Sequence, residues 1–370
     1  MVDLGNQYQN IQEEIDSAVL NVIRSTAYIN GPEVKKFQES LQDYLGVKHV
    51  IPCANGTDAL QVSLMALGLQ PGDEVVSVDF TFAATVEVIG LLNLVPVLVD
   101  VDEKTFNMDI EALKKAITPK TKAIIPVHLF GQVANMEEVL KVAKKHNLAV
   151  VEDTAQAIGA DYTFADGTVK KAGTMGDLGT TSFFPSKNLG GYGDGGAVFT
   201  NNDDLAHKLR GIVNHGMYRR YYHDEVGVNS RLDSIQAAIL NIKLPRLNEY
   251  NAARAKAASY YSNAFKDCKK IETPFIAENS THAFHQYTLK IKGADRNALV
   301  EHLMGKEIPA MIYYPVPLHS QEAYKDERYN EDDFTVTNQL IDQVMSLPMH
   351  TELDEEQLEF ITSSVLEFLK

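Results

Sequence analysis

Three short stretches carry side chains whose types and spacing suit chemistry. In Thr181-Ser182-Phe183-Phe184-Pro185-Ser186-Lys187-Asn188-Leu189-Gly190-Gly191, a lysine follows an apolar strand and sits among hydroxyls and glycines. Partial burial lowers a lysine pKa and frees the amine as a nucleophile, so Lys187 is a candidate Schiff-base lysine. The plain alternative is a lysine on a surface loop. In Val150-Val151-Glu152-Asp153-Thr154-Ala155-Gln156, acidic residues end a buried strand at its carboxyl edge, where open α/β sheets place their ligands. Asp153 suits a cation, a metal or a protonated ring nitrogen there, or it caps the next segment. In Ala54-Asn55-Gly56-Thr57-Asp58, a glycine lets a backbone approach a ligand, and a helix N-terminus offers N–H groups to a phosphate. Ordinary capping by Asn55 or Thr57 explains the same residues.

A fourth stretch is a decoy. Gly191-Tyr192-Gly193-Asp194-Gly195-Gly196 satisfies G-x-G-x-x-G, but the dinucleotide fingerprint opens a helix. Here Ala197-Val198-Phe199-Thr200 follows, which reads as a strand, so the match is a glycine-rich turn. No Cys/His spacing for zinc occurs, nor any G-x-S-x-G or P-loop, and no metal site is expected.

The elements that must hold these stretches alternate. Strands are expected at 49–53, 73–78, 95–100, 121–127, 148–151 and 197–200, and helices at 57–67, 83–92, 109–116 and 136–146. Short continuous apolar runs between amphipathic helices indicate a mostly parallel sheet covered on both faces, a three-layer α/β/α arrangement. After Gly211 the pattern changes. A polar, aromatic-rich stretch spans 215–229. A long helical pattern starts near Asp233, breaks at Pro245 and resumes to about Phe265. A strand at 287–291 and helices at 296–304 and 355–369 complete a smaller α+β region. We therefore expect a large domain over 1–245 and a small one over 246–370.

Composition narrows the function classes. The 370 residues carry 34 Lys+Arg against 50 Asp+Glu, a net charge of −16, with 45% hydrophobic residues. An acidic chain lacks the basic face that general nucleic-acid binding needs. The most apolar stretch, 83–99, is interrupted by Glu87, Asn93 and Pro96, which argues against a membrane span. Cys53 and Cys268 read as two buried free thiols in a reducing cytoplasm. The first residues show no secretion signal. Any anionic ligand must find a local positive site.

In their order and context, the three stretches resemble the fold-type I aminotransferases that use pyridoxal phosphate. More closely, Glu152–Ala157, Ser182–Gly196 and Asn229–Leu240 resemble the DegT/DnrJ/EryC1/StrS sugar aminotransferases. The resemblance spans essentially the whole chain. It implies that Lys187 forms a Schiff base with the cofactor and shuttles the proton between substrate and cofactor. It also implies that Asp153 pairs with the pyridine nitrogen and that Gln156 hydrogen-bonds the phenolic oxygen. Gly56, Thr57 and Ser182 match phosphate-binding positions, and Phe82 the aromatic that stacks on the ring; core packing is the alternative for Phe82. Asn229 matches a residue reaching the phosphate from a neighbouring subunit, which implies a homodimer with shared active sites. Relatives with His in place of this lysine perform dehydration, so Lys187 implies transamination. The implied reaction is ping-pong, through pyridoxamine phosphate, from glutamate to a nucleotide-linked keto-sugar.

The basic run His215–His223 resembles members that aminate C3 of a UDP-2-acetamido-3-keto-hexuronate. The C6 carboxylate of that sugar needs an arginine, and Arg219 and Arg220 are the candidates. Pairing with Asp224 and Glu225, or with a nucleotide diphosphate, is the alternative. Tyr313 and Tyr314 match a second substrate loop, where uronate-specific relatives often have His followed by Tyr. A dTDP-3-keto-6-deoxyhexose is the other acceptor this resemblance allows, with O-antigen or other surface-glycan synthesis as the setting. A catalytically silent cofactor-binding regulator would keep Lys187 and Asp153 but would need a DNA-binding module, and no basic helical extension is present.

Overall fold

The computed structural model describes residues 1–370. A seven-stranded sheet is its centre: β1 His49–Cys53, β2 Glu74–Val78, β3 Val95–Val99, β4 Thr121–Ile125, β5 Ala149–Asp153, β6 Leu178–Ser182 and β7 Gly196–Thr200. The spatial order is β1-β7-β6-β5-β4-β2-β3. All neighbours from β6 through β3 pair in parallel, whereas β7 runs antiparallel to both β6 and β1. Continuous burial along β2, β5 and β7 shows that both faces are covered, as in a three-layer α/β/α unit. Several of its helices start on a side-chain cap. Asn135 accepts from Glu138 N–H at the start of Met136–His146, and Asp109 from Ala112 N–H at the start of Ile110–Ala116.

Two strand ends differ by two residues from the sequence reading, and both bear on function. The β4 strand stops at Ile125 because Pro126 has no N–H for the ladder, and Val127 keeps only an isolated bridge to Asp153. The next strand, β5, runs on to Asp153, so Glu152 and Asp153 lie inside it and point to opposite faces. A short hairpin, Asp161–Thr163 with Val169–Lys171, was not legible, and another, Met217–Arg219 with Tyr222–His223, occupies the aromatic-rich stretch. Cys53 is buried, but Cys268 is only half-buried; both are free. No helix is long and apolar enough to cross a membrane.

A second sheet, β8 Ile271–Glu272, β9 Tyr287–Ile291 and β10 Val344–Leu347, is fully antiparallel. It packs with the helices Leu247–Phe265, Arg296–Gly305 and Glu355–Leu369 around Tyr261, Tyr287 and Val365. Part of the chain between them returns to the large sheet. Leu318 and Phe334 pack with Val86 and Leu98. Asp100, just past β3, accepts hydrogen bonds from the N–H groups of Val336 (2.8 Å) and Thr337 (2.9 Å), which open the helix Thr335–Gln343.

Glu152 governs the loop beside β6. Its carboxylate is fully buried and accepts from the N–H groups of Met175 and Gly176 (both 2.6 Å), from Gly173 N–H (2.9 Å) and from His128 Nε2–H (2.9 Å). The His128 tautomer follows from Nδ1, which accepts from Ala134 N–H. This draws the 173–176 loop so close to β6 that a Cβ at Gly179 would collide with the Gly173 backbone. Gly179→Ala is therefore expected to cost about 1–3 kcal/mol by overpacking, read as a lower urea midpoint. An unchanged midpoint would show that the loop yields freely.

Candidate active site

A cavity of about 830 Å³ opens at the carboxyl ends of β2, β4, β5 and β6 and is closed on its far side by residues 312–315. It brings together Gly56, Thr57, Phe82, Asp153, Gln156, Ser182, Lys187, Tyr313 and Tyr314, nine of the positions singled out in the sequence. It does not include Asn229, Arg219 or Arg220.

One end of the cavity is built for an anion. The first N–H groups of a helix lack intrahelical partners. In Gly56–Ala66, the Asn55 side chain takes the N–H of Asp58 (2.7 Å), and the Asn55 carbonyl takes that of Ala59. The N–H groups of Gly56 and Thr57 are left for a ligand. A Cβ at Gly56 would lie 2.7 Å from Ser182 Cβ, so only glycine lets β6 approach the helix start and add the Ser182 hydroxyl. That donor set fits a phosphate.

Asp153 lies on the floor, buried, on the cavity face of β5. Its Oδ2 accepts from Thr85 Oγ1–H at 2.8 Å and its Oδ1 from Ala155 N–H at 3.1 Å. Two donors fix the carboxylate, and no cation of the chain pairs with it. Its backbone is locked as well: Asp153 N–H donates to Pro126 O, and Asp153 O accepts from His128 N–H, both at 3.0 Å. A fixed, buried carboxylate with free lone pairs suits a protonated ring nitrogen.

Lys187 sits in a turn, its N–H donating to Phe184 O at 2.8 Å. It is the one lysine lining the cavity, and no arginine lines it. Burial pushes its pKa down to about 8, against the opposing pull of Asp153. A lysine with that value holds a substantial neutral fraction near neutrality, as a nucleophile must.

The remaining residues shape the walls. Gln156 Oε1 accepts from Phe130 N–H at 2.7 Å, and its Nε2 donates one hydrogen to Tyr314 Oη at 3.2 Å, keeping a second. Phe82 is 58% exposed, so it is not a core residue; its ring stands 6.4 Å from that of Tyr314. Tyr314 stacks on Phe130, and burial raises its pKa.

Sequence reasoning missed Thr85, Phe130 and His285. Thr85 and Phe130 carry no local signal, since only the fold brings them to Asp153 and Gln156. His285 lies just before β9. It lines the cavity with a buried, unpartnered Nδ1. Burial and the charges of Lys187 and Arg254 push its pKa well down, so it is a neutral imidazole.

Arg219 and Arg220 sit on the exposed hairpin. The Arg219 guanidinium lies 3.5 Å from the centre of the Tyr222 ring, and that of Arg220 lies 5.0 Å from Tyr221. Neither pairs with Asp224 or Glu225; Glu225 is instead hydrogen-bonded by the Tyr218 hydroxyl. Asn229 is exposed and bridges to Asn214.

In protein free of cofactor, acylation of Lys187 followed by peptide mapping is expected to titrate with a midpoint of about 8, against 10.5 for an ordinary lysine. Asp153 raises the value, so Asp153→Asn is expected to move the midpoint lower still. A midpoint at the ordinary value would mean that the amine is not desolvated.

Comparison with known proteins identifies the family. The model of the DegT/DnrJ/EryC1/StrS aminotransferase family matches residues 9–366. The UDP-2-acetamido-2-deoxy-3-oxo-D-glucuronate aminotransferase of Pseudomonas aeruginosa is 45% identical over 98% of this chain and 98% of its own. A pleiotropic regulatory protein of Geobacillus stearothermophilus is 43% identical over 100% of this chain and 98% of its own. Among solved structures, S. venezuelae DesV in complex with a ketimine intermediate superposes with a TM-score of 0.95 at 35% identity, covering 100% of this chain and 98% of that one. With a cradle for a phosphate, a fixed carboxylate and a desolvated lysine in one cavity, and a family match along nearly its whole length, the chain belongs to the DegT/DnrJ/EryC1/StrS aminotransferases.

Proposed function

We propose that this aminotransferase uses pyridoxal phosphate to move an amino group from glutamate to C3 of UDP-2-acetamido-2-deoxy-3-oxo-D-glucuronate. It would do so as a cytoplasmic homodimer, in the synthesis of a surface polysaccharide such as O-antigen. The observation that carries the chemistry is Lys187, a desolvated amine in one cavity with the Asp153 carboxylate and the free N–H groups of Gly56 and Thr57. The identity to the Pseudomonas aeruginosa enzyme supports the sugar.

When bound, the cofactor supplies an electron sink for the carbanion at the substrate carbon. Gly56, Thr57 and Ser182 hold its phosphate. Asp153, fixed by Thr85 and Ala155, keeps the ring nitrogen protonated. Gln156, pinned by Phe130, offers its remaining N–H to the phenolic oxygen. Phe82 covers a ring face. Lys187, as the neutral amine, takes the proton from the substrate carbon and returns it on the other side of the transfer.

The dimer rests on what the cavity lacks. Phosphate, glutamate and a sugar nucleotide are all anionic, yet the only positive side chain in the lining is Lys187. Arg219, Arg220 and Asn229 lie outside their own cavity and unpaired with any carboxylate. We assign them to the cavity of a second copy, with one of the arginines on the C6 carboxylate. A second reading, a dTDP-3-keto-6-deoxyhexose acceptor, is favoured by Tyr313, which stands where uronate-specific relatives often have His.

The purified protein is expected to be yellow, to bleach with glutamate and to lose its colour in Lys187→Ala. A protein that stays colourless after reconstitution would overturn the cofactor reading, and one that is yellow but does not bleach with an amino donor would leave the regulator. Arg219→Ala and Arg220→Ala are then assayed on both acceptors. Loss of uronate turnover alone by at least one variant supports the carboxylate contact, and equal losses on both sugars would sink it. Mixing inactive Lys187→Ala with an inactive Arg219→Ala, Arg220→Ala double variant is expected to restore about a quarter of the sites, since half the dimers would hold one intact site. No restoration would mean that each cavity is served by its own chain.

A further inference from the structure

The cavity has two walls from distant parts of the chain. One is Thr81 and Phe82, just past β2; the other is Ile312 to Pro315. Neither strand pairing nor a helix joins them. Their junction lies immediately behind both, at Asp79 and His319. Asp79 is fully buried and ends the run from β2. Its Oδ1 accepts from His319 N–H at 2.7 Å, its Oδ2 pairs with His319 Nδ1–H at 2.8 Å, and its carbonyl accepts from Leu318 N–H at 3.4 Å. On the outer side, His319 Nε2 meets Glu331 at 3.2 Å, and Asn338 holds the same Glu331 oxygen at 3.0 Å. Phe334 stacks on the imidazole with ring centres 4.3 Å apart.

We propose that His319 is a positioning residue: by bridging Asp79 to Glu331 it fastens the Ile312–Pro315 wall to the Thr81–Phe82 wall and so sets the fit of the acceptor sugar. The inference rests on the reading that Tyr313 and Tyr314 face that sugar.

The charges around the ring make the clamp sensitive to pH. Asp79 faces it from β2, with Asp100 behind, and Glu331 faces it from the turn at Glu331–Phe334. Lys325, Asp326, Glu327 and Tyr329 share its outer recess. Lys325 is taken by Glu322 at 2.6 Å and Asp326 by Arg328 at 2.7 Å, so the imidazole is the cation left to Asp79 and Glu331. Burial disfavours the imidazolium, but the hydrogen bonds and charges of Asp79 and Glu331 outweigh it and raise the His319 pKa above 6.5. A raised histidine pKa means a clamp fully engaged below that ordinary value and weakened, at its Glu331 arm, as pH rises through the raised one.

Three proteins are compared as loaded enzyme: wild type, His319→Asn, which keeps a donor near Asp79 without the charge, and Glu331→Gln. Hydrogen exchange of the 312–320 amides is expected to be faster in His319→Asn, and in wild type to quicken as pH rises. The sugar-nucleotide KM of His319→Asn is expected to be roughly tenfold higher at low pH, while bleaching by the amino donor is unchanged. Glu331→Gln is expected to move the pH at which the wild-type KM rises to a lower value, a shift that a merely structural role would not produce. Unchanged exchange in His319→Asn, an equal loss of the donor half-reaction, or an unmoved pH profile in Glu331→Gln would each overturn the proposal. If wild type bleaches with the donor but turns over no uronate sugar, the substrate assignment fails, and the exchange data alone decide for or against the clamp.

Discussion

The structure depends on the saturation of one buried carboxylate. Glu152 and Asp153 are adjacent in the chain, yet strand alternation sends them to opposite faces of β5. An ionised group at the position of Glu152 is tolerable only if hydrogen bonds replace its water. Four N–H groups do so, three from one loop and one from His128. Asp153 depends on the result. The strand that carries it is gripped from behind, and the His128 backbone N–H holds its carbonyl. The carboxylate facing the cavity therefore needs only two donors and keeps lone pairs free.

What the sequence shows of the site follows from the same division. Gly56, Thr57, Asp153, Ser182 and Lys187 stand at or just beyond strand ends, where local pattern already says that a ligand is met. Thr85, Phe130 and His285 give no such sign, because long-range packing alone carries them to the cavity. Glu152 and Asp153 read as a pair of equals in the chain; only the run of β5 through both separates scaffold from site. The layers of the large sheet and the helices between β1 and β5 were legible from apolar periodicity, whereas the helices Leu4–Asn10, Gln12–Ser25, Pro32–Leu45 and Asp203–Ile212 were not read. The Asp161–Thr163 hairpin was not, since its strands are three residues long and half-exposed. The return of Leu318, Phe334 and Leu340 to the large sheet was equally hidden, because a tie between a strand end and a residue over 200 positions away leaves no local trace.

The net charge of −16 is a poor guide to the cavity. A field summed over the whole surface is screened within about 8–10 Å in physiological salt. The site works at shorter range, with two backbone N–H groups, a hydroxyl and a single amine. Those groups suit the phosphate end. They leave the open end poor in positive charge, and the exposed hairpin carries the positive charge that the lining lacks.

The packing of Arg219 against Tyr222 has one more consequence. A free arginine side chain samples many rotamers, and freezing it on a ligand costs conformational entropy of up to about 2 kcal/mol. Here the guanidinium already rests on a ring, so much of that freedom is given up during folding. Hydrogen-bonding capacity at the edge of the stacked group remains available. The hairpin therefore presents an oriented guanidinium before any anion arrives.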